Sequence, residues 1–165
     1  FSDIIMSMVE IHNSVAKVYE ENKETLEIFE CLDEFSDTQN FCDHYGFDIE
    51  DSCNAILIKA KKPEEFYAMF CVLGANRLDV NHKAKEAMGA KRVSFASREE
   101  AETVTGQIYG GISPLGLPEN IKVYMDKNVT DREKLFIGAG NRVSKFFLSP
   151  ETLIDLSSAK VLDLT

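Results

Sequence analysis

Residues 105–118 read Thr-Gly-Gln-Ile-Tyr-Gly-Gly-Ile-Ser-Pro-Leu-Gly-Leu-Pro and hold four of the nine glycines and two of the four prolines of this 165-residue chain. Glycine and proline at this density end a helix and exclude a central strand. The stretch is too apolar for a solvated linker, since it also contains Ile108, Tyr109, Ile112, Leu115 and Leu117. We therefore expect a shaped loop whose backbone amides lie beside apolar side chains, as a small-ligand pocket requires. A tight turn buried under the core is the alternative that glycine spacing alone leaves open.

Short strands and short helices are predicted on both sides of this loop. Bounded apolar runs predict strands at 26–32, 55–58, 66–73, 92–95, 121–125, 135–137, 143–148 and 161–164. Cap residues predict helices at 36–45 before Gly46, at 79–88 before Gly89, from the capping box of Ser97 and Glu100 to Gly106, and from Pro150 onward. These elements alternate irregularly, without a series of βαβ units. The fold class is therefore α+β, with a mixed, partly closed β-sheet and short packed helices.

The first part of the chain carries an apolar stripe at helical spacing, formed by Ile4, Met8, Ile11, Val15 and Val18. The stripe predicts a helix of about twenty residues. We interpret residues 1–22 as an N-terminal helical extension and residues 23–165 as one domain. The polar face of this helix is acidic, so the stripe indicates core packing or a dimer seam rather than a membrane anchor. The protein is accordingly expected to be a monomer or a homodimer.

The net charge of −10 is unevenly distributed along the chain. Residues 1–52 carry 14 acidic and 2 basic side chains, whereas residues 53–165 carry 14 acidic and 16 basic ones. The second part permits an anionic partner, although ordinary solvated lysines are the simpler explanation. No apolar run has the length of a membrane span, and the first residues lack the features of a signal peptide. A cytoplasmic protein without membrane contact is expected.

Cysteine and histidine residues give no metal-binding pattern, because no C-x-x-C pair occurs and the histidines are dispersed. The residues concerned are Cys31, Cys42, Cys53, Cys71, His12, His44 and His82. Neither a metal nor an organic cofactor is indicated. Buried, reduced thiols are the plain interpretation. A catalytic cysteine is the alternative, and it would need a histidine beside it in space.

Five segments after residue 69, taken together, resemble a known family. They are 70–80 (Phe-Cys-Val-Leu-Gly-Ala-Asn-Arg-Leu-Asp-Val), 89–96 (Gly-Ala-Lys-Arg-Val-Ser-Phe-Ala), Thr105-Gly106, 110–116 (Gly-Gly-Ile-Ser-Pro-Leu-Gly) and 138–142 (Gly-Ala-Gly-Asn-Arg). In that order and at compatible spacings they are similar to the YbaK/ProX family of aminoacyl-tRNA editing domains, relatives of the insertion domain of bacterial prolyl-tRNA synthetases. The resemblance covers about residues 36–165 and does not include residues 1–22.

The resemblance implies a trans-editing hydrolase that serves translation fidelity by cleaving the ester between a wrong amino acid and its tRNA. In the family a G-x-x-x-P loop borders the aminoacyl pocket, and the matching residues are Gly110, Gly111, Ile112, Ser113 and Pro114. Backbone amides of this loop could approach the carbonyl oxygen that becomes negative during hydrolysis. Either Ile112 or Leu115 would limit the volume of the amino-acid side chain. Further substrate contacts are expected from the second glycine loop, which consists of Gly138, Ala139, Gly140, Asn141 and Arg142.

One position departs from the family pattern. The family usually places a lysine at the start of the strand that here begins near Cys53, and Asn54 occupies that position. An asparagine amide can orient a substrate by hydrogen bonds but brings no charge. By strand parity, Lys59 lies on the opposite face and is a poor substitute. Three hypotheses remain. The first is a deacylase that positions its substrate with Asn54, and the second is a catalytically silent module that binds an aminoacyl or nucleotide group or docks on a synthetase. The third is an assembly protein that uses the N-terminal helix as its interface.

Contacts with the body of the tRNA are predicted from Arg77, Lys83 and Lys85, which could bind phosphates. Because the first third of the chain is acidic, we expect weak binding of aminoacyl-tRNA unless a partner such as an aminoacyl-tRNA synthetase assists. His82 is interpreted as a surface histidine rather than a general base. Ser113 lies outside any G-x-S-x-G elbow and is interpreted as a loop hydroxyl rather than a nucleophile.

Overall fold

The computed structural model describes residues 9–165. Within this range the chain forms five α-helices: α1 (Asn13–Glu21), α2 (Thr38–Tyr45), α3 (Lys85–Met88), α4 (Arg98–Thr105) and α5 (Pro150–Ser157). The same range contains eight strands: β1 (Glu27–Glu30), β2 (Cys53–Lys62), β3 (Phe66–Leu73), β4 (Arg92–Phe95), β5 (Lys122–Asp126), β6 (Leu135–Gly138), β7 (Ser144–Leu148) and β8 (Lys160–Leu162). None of these helices is long and apolar enough to cross a bilayer.

The strands are divided between two sheets. The small sheet has the order β1–β7–β6 and is antiparallel, and the large sheet has the order β4–β2–β3–β5–β8. In the large sheet β2 is antiparallel to β3 and β4, whereas β5 runs parallel to β3 and β8. An isolated bridge between Ser52 and Phe136 links the start of β2 to β6. The α+β class and the mixed sheet are confirmed, although two sheets replace the single predicted one and neither closes within residues 9–165.

Helix ends are confirmed where glycine or a cap residue marks them. Gly46, Gly89 and Gly106 follow their helices with φ angles of 79°, 63° and 71°, the left-handed conformation that glycine favours. At the start of α4, the Ser97 hydroxyl accepts from the Glu100 N–H, and the Glu100 carboxylate accepts from the Ser97 N–H. Local sequence signals therefore set these boundaries.

The helix predicted at 79–88 is only partly α-helical. Its first part, Val80–Ala84, is a π-helical turn, and α3 follows it. The Ala84 N–H donates to the Asp79 carbonyl (2.9 Å), while the Asp79 carboxylate accepts from the His82 N–H (3.2 Å). The cap side chain and this wider backbone bond together give the first turn its π geometry.

The N-terminal helix is shorter than its apolar stripe predicts. It begins at Asn13, because His12 is extended and its Nδ1 accepts from the backbone N–H two residues further on (3.2 Å). Ile11 thus precedes the helix, while Ile4 and Met8 lie outside the described residues. The boundary at residue 22 and the dimer seam stay predictions.

The core lies on both faces of the large sheet. Val15 of α1 is fully buried in the larger cluster, together with Met69 of β3 and Leu153 of α5. Phe70 of β3 belongs to the cluster on the other face. All four cysteines are buried and free, as predicted. Because α1 contributes to the same core as the strands, that part of the stripe serves packing.

A polar cluster ties the first turn of α4 to the large sheet. Glu100 Oε2 accepts from the Lys59 ammonium (2.7 Å) and from the Tyr67 hydroxyl (2.9 Å). The hydrogen bond from Lys59, followed by those from Ser97 and Tyr67, lowers the pKa of Glu100 from its ordinary 4.5 to about 2. The folded state therefore favours the ionised carboxylate.

Acidification should weaken the fold through Glu100. Its stabilising effect is complete above pH 4.5 and is lost as the pH falls toward 2, because the folded pKa lies below the unfolded one. We expect the melting temperature of a Glu100→Gln variant to lie below that of the wild type at pH 6, with the difference shrinking at pH 3. The matched control is Glu99→Gln, which removes the same charge from an exposed neighbour. A constant difference for Glu100→Gln across this range would contradict the prediction.

Candidate active site

Two glycine loops pack directly against each other, one after α4 and the other between β6 and β7. The Ile108 N–H donates to the Gly140 carbonyl (2.9 Å), and the Gly140 N–H donates to the Gly111 carbonyl (2.7 Å). A Cβ on Gly111 would overlap the backbone carbonyl of Asn141, and a Cβ on Gly138 would overlap the backbone of the first loop. Close backbone approach therefore requires glycine at both positions.

A cavity of about 250 Å³ opens beside the contact between the loops. It is lined by residues 36–38, 53–55 and 109–112 and by Gly138 and Lys145. The cavity brings together five residues that the sequence assigned to the site, namely Gly110, Gly111, Ile112, Gly138 and Asn54.

The amide of Asn54 is held in one orientation at the cavity wall. Its Oδ1 accepts from the hydroxyls of Thr38 and Ser52, each at 3.3 Å. Its Nδ2 has no acceptor among residues 9–165 and is available to donate to a ligand. Lys59 does not line the cavity, because its ammonium pairs with Glu100 on the other face of β2.

Two backbone N–H groups of the first loop are available to a ligand. The Gly111 N–H donates to the Ile108 carbonyl (3.0 Å), whereas the N–H groups of Gly110 and Ile112 have no partner in the described part of the chain. The Ser36 hydroxyl donates to the Gly110 carbonyl (3.4 Å) and so links this peptide to the segment before α2. The loop can thus offer two amide donors to an oxygen that becomes negative.

The buried side chain of Gln107 holds the backbone of the first loop by two hydrogen bonds. Gln107 Oε1 accepts from the Ser113 N–H (2.6 Å), and its Nε2 donates to the Leu115 carbonyl (2.9 Å). The Ser113 hydroxyl accepts from the Leu115 N–H (3.1 Å), in agreement with its interpretation as a loop hydroxyl. No role was predicted for Gln107, because a glutamine between glycines carries no signal of its own.

The rest of the first loop does not line the cavity. Ser113 and Leu115 are buried, and Pro114 lines a separate groove beside Gly116. These residues support the loop, and their direct contact with a substrate stays a prediction.

The polar residues of the second loop are engaged within the protein. Asn141 Oδ1 accepts from the Ser144 hydroxyl (2.8 Å), and Arg142 pairs with Asp33 (3.0 Å). Neither side chain lines the cavity, and Ala139 is buried behind it. Their predicted contacts with the terminal nucleotide stay predictions.

The basic residues assigned to tRNA phosphates do not line the cavity. Lys83 pairs with Asp163 (3.0 Å), while Arg77 and Lys85 form no ion pair within residues 9–165. The side chain of His82 is 83% exposed, as expected for a surface histidine. The contact of Arg77, Lys83 and Lys85 with tRNA stays a prediction.

Lys145 lines the cavity although no role was predicted for it. It lies on β7, is only 6% exposed, and has its Nζ 5.0 Å from the centre of the Phe41 ring. Burial lowers its pKa. The available signal was a lone lysine within the apolar run 143–148, but a strand prediction does not reveal which other segments such a side chain faces.

The residues that line the cavity do not favour catalysis by a cysteine nucleophile or by a bound metal ion. A hydrogen bond with Cys71, together with burial, raises the pKa of Cys53 well above its ordinary value, so this thiol is protonated at neutral pH and is a poor nucleophile. No histidine lines the cavity. Among the described residues, no three His, Cys, Asp or Glu side chains are grouped so that they could hold a metal ion.

Residues 33–156, which include the first loop, the second loop and Asn54, match the sequence profile of the family described as "Aminoacyl-tRNA editing domain". The chain belongs to this family. The resemblance carried by the five sequence segments is thereby confirmed.

Two curated relatives show how far the sequence similarity extends. EbsC of Enterococcus faecalis, named as a candidate Cys-tRNA(Pro)/Cys-tRNA(Cys) deacylase, is 29% identical over 92 residues, or 56% of each chain. The proline–tRNA ligase of Streptococcus pneumoniae (strain Hungary19A-6) is 40% identical over 57 residues, which are 34% of this chain and 9% of the ligase. The matches thus span about half of EbsC and less than a tenth of the ligase.

Solved structures share the fold of this editing domain. A candidate trans-editing enzyme for prolyl tRNA synthetase superposes with a TM-score of 0.79 at 22% identity, covering 94% of this chain and 99% of the other. The hypothetical protein APE2540 superposes with a TM-score of 0.82 at 22% identity, covering 92% and 99%. At this level of identity the two structures support the fold.

Proposed function

We propose that this editing domain is a trans-acting deacylase that hydrolyses the ester between a wrong amino acid and the terminal ribose of a tRNA. The observation that carries the proposal is the shared cavity, in which the N–H groups of Gly110 and Ile112, unpaired within residues 9–165, lie in one pocket with the amide of Asn54. Family membership and the names of EbsC and the trans-editing enzyme support this assignment.

In the proposed reaction, water attacks the carbonyl carbon of the ester. The electron pair of the C=O bond moves to oxygen, and the N–H groups of Gly110 and Ile112 donate to the negative oxygen of the tetrahedral intermediate. Collapse of the intermediate breaks the bond to the ribose oxygen, which takes up one proton of the attacking water. The other proton passes to solvent, and the amino acid leaves as its carboxylate. Asn54 Nδ2 orients a ribose hydroxyl or the ester carbonyl. No protein nucleophile takes part.

The cavity has a wall that would limit the size of the amino-acid side chain. Its volume of about 250 Å³ has to hold the aminoacyl group, and Ile112 forms part of its wall. Selection by size alone discriminates by roughly 10–200-fold per methylene group. We therefore infer that alanyl, cysteinyl, seryl and threonyl esters are the substrates to compare.

The direct test is hydrolysis of tRNAs mischarged with these four amino acids. We expect the wild type to hydrolyse at least one ester, and Asn54→Ala to lower kcat/KM by about 10-fold, because one hydrogen bond to the substrate is lost. The control is Asn120→Ala, which changes an exposed asparagine outside the cavity. Saturable binding of an aminoacyl-adenosine analogue without turnover of any ester would instead favour the silent binding module.

A further inference from the structure

We propose that Lys145 supplies the positive charge of this pocket and stabilises the negative oxygen formed at the ester carbonyl. The proposal rests on the deacylase function proposed above, and it assigns a catalytic role to a side chain outside both glycine loops.

The burial of Lys145 is the first observation. The residue is 6% exposed, and its ammonium forms no hydrogen bond or ion pair within residues 9–165. The ammonium lies over the Phe41 ring, whose centre is 5.0 Å from Nζ. A buried cation without an anionic partner is costly for a folded protein. Because Lys145 lines the cavity, an anionic group bound there would compensate this cost.

The charged and titratable groups around the ammonium do not provide that anion. Cys31 lies after β1 and Cys42 lies on α2, and burial raises the pKa of both thiols. Asp37 also lines the cavity, but its carboxylate is shared with the Arg142 guanidinium (3.5 Å). Lys145 is therefore a largely buried cation in a pocket whose lining carboxylate, Asp37, already has a partner.

The chemistry of the proposed reaction matches this arrangement. The substrate ester is neutral at its carbonyl, whereas the tetrahedral intermediate carries a full negative charge on that oxygen. An ammonium in a partly enclosed pocket interacts more strongly with the intermediate than with the ester, and such differential binding accelerates the reaction. The negative charge that balances Lys145 therefore forms only when the ester is converted to the tetrahedral intermediate.

The kinetic test compares Lys145→Met with the wild type on the most reactive ester of the panel. We expect kcat to fall by about 100–1000-fold with little change in KM, since a charge that acts in the transition state is lost. The melting temperature should rise, because an unpaired buried charge is replaced by an apolar side chain of similar length. The matched control is Lys134→Met, which removes an exposed ammonium that also lies over an aromatic ring, Phe147 (5.8 Å). A loss confined to KM, or a kcat close to that of the wild type, would overturn the proposal and leave the deacylase function standing.

A binding test makes the result independent of turnover. The probes are two alanyl-adenosine analogues, one with a neutral amide and one with an anionic phosphonate in place of the ester. We expect Lys145→Met to weaken binding of the phosphonate by about 100-fold and to leave binding of the amide nearly unchanged. Equal effects on both probes would overturn the role of Lys145. A wild type that binds neither probe and hydrolyses no ester would overturn the deacylase function as well.

A final experiment moves the positive charge from Lys145 to another position in the cavity lining. Adding Asn54→Lys to Lys145→Gln places an ammonium on β2 at the other side of the same cavity. We expect kcat of this double variant to be at least 10-fold higher than kcat of Lys145→Gln alone. No recovery, together with unchanged binding of the phosphonate, would argue against a charge effect.

Discussion

Replacement of Gly111 by alanine is expected to reduce deacylation by about 100-fold or more, because a shift of about 1 Å in a catalytic loop has an effect of this size. The added Cβ would overlap the backbone carbonyl of Asn141, and backbone cannot move aside as a flexible side chain can. The loops must then separate, and the hydrogen bond between the Gly140 N–H and the Gly111 carbonyl (2.7 Å) is strained or broken. The N–H groups of Gly110 and Ile112 would then shift relative to the rest of the cavity lining.

The matched control for this substitution is Gly89→Ala. Gly89 has a φ of 63° and open space around its Cβ position, so alanine there costs roughly 1–2 kcal/mol of backbone strain. Overpacking at Gly111 costs roughly 1–3 kcal/mol or more, so Gly89→Ala controls for the lower part of this range. Hydrolysis of the most reactive mischarged tRNA should fall only in Gly111→Ala. Equal activity of the two variants, measured well below their melting temperatures, would show that the contact between the loops does not set the active geometry.

The second large effect is expected for Gln107→Met. This substitution keeps the length of the side chain but leaves the Ser113 N–H and the Leu115 carbonyl without their buried partner. Each unsatisfied buried group costs roughly 1–3 kcal/mol, so unfolding should become easier by roughly 2–6 kcal/mol. The two hydrogen bonds also hold the backbone that continues from Ile112, and kcat should decrease together with the stability.

Denaturant unfolding and kinetics of the same Gln107→Met preparation measure both effects. The control is Gln39→Met, where an exposed glutamine loses one hydrogen bond to Asp43 (2.9 Å); the free energy of unfolding should change by less than about 0.5 kcal/mol. If Gln107→Met were as stable as Gln39→Met, water or a rearranged loop would satisfy the freed groups, and the proposed role of Gln107 would be wrong.

These predictions describe one design in which the cavity depends on contacts between distant segments. Gly111 and Gly138 allow the two loops to touch, Gln107 fixes the shape of the first loop, and β7 brings Lys145 to the cavity from the small sheet. Asn54 arrives from the large sheet, near the bridge between Ser52 and Phe136. The site thus lies where the two sheets meet.

Local sequence signals were sufficient for most of the secondary structure. The capping box at Ser97, the glycines that end the helices and the apolar runs of the strands act between residues close in the chain, so their consequences can be read without the fold. The same signals mislead where a side chain changes the local geometry. His12 starts α1 later than the apolar stripe suggests, and Asp79 accompanies a π-helical turn in place of a regular first turn.

The sequence by itself determined the α+β class, the family and the two glycine loops, because spacing and composition encode these directly. Only the tertiary structure decided that the strands form two sheets and that Lys145 enters the same cavity as Asn54. It alone also showed that Gln107 holds the first loop while Arg142 is already paired with Asp33. The physical reason is that hydrogen bonding, burial and charge compensation depend on neighbours far apart in the chain. A lysine in an apolar strand or a glutamine among glycines acquires its role only when the packed segments surround it.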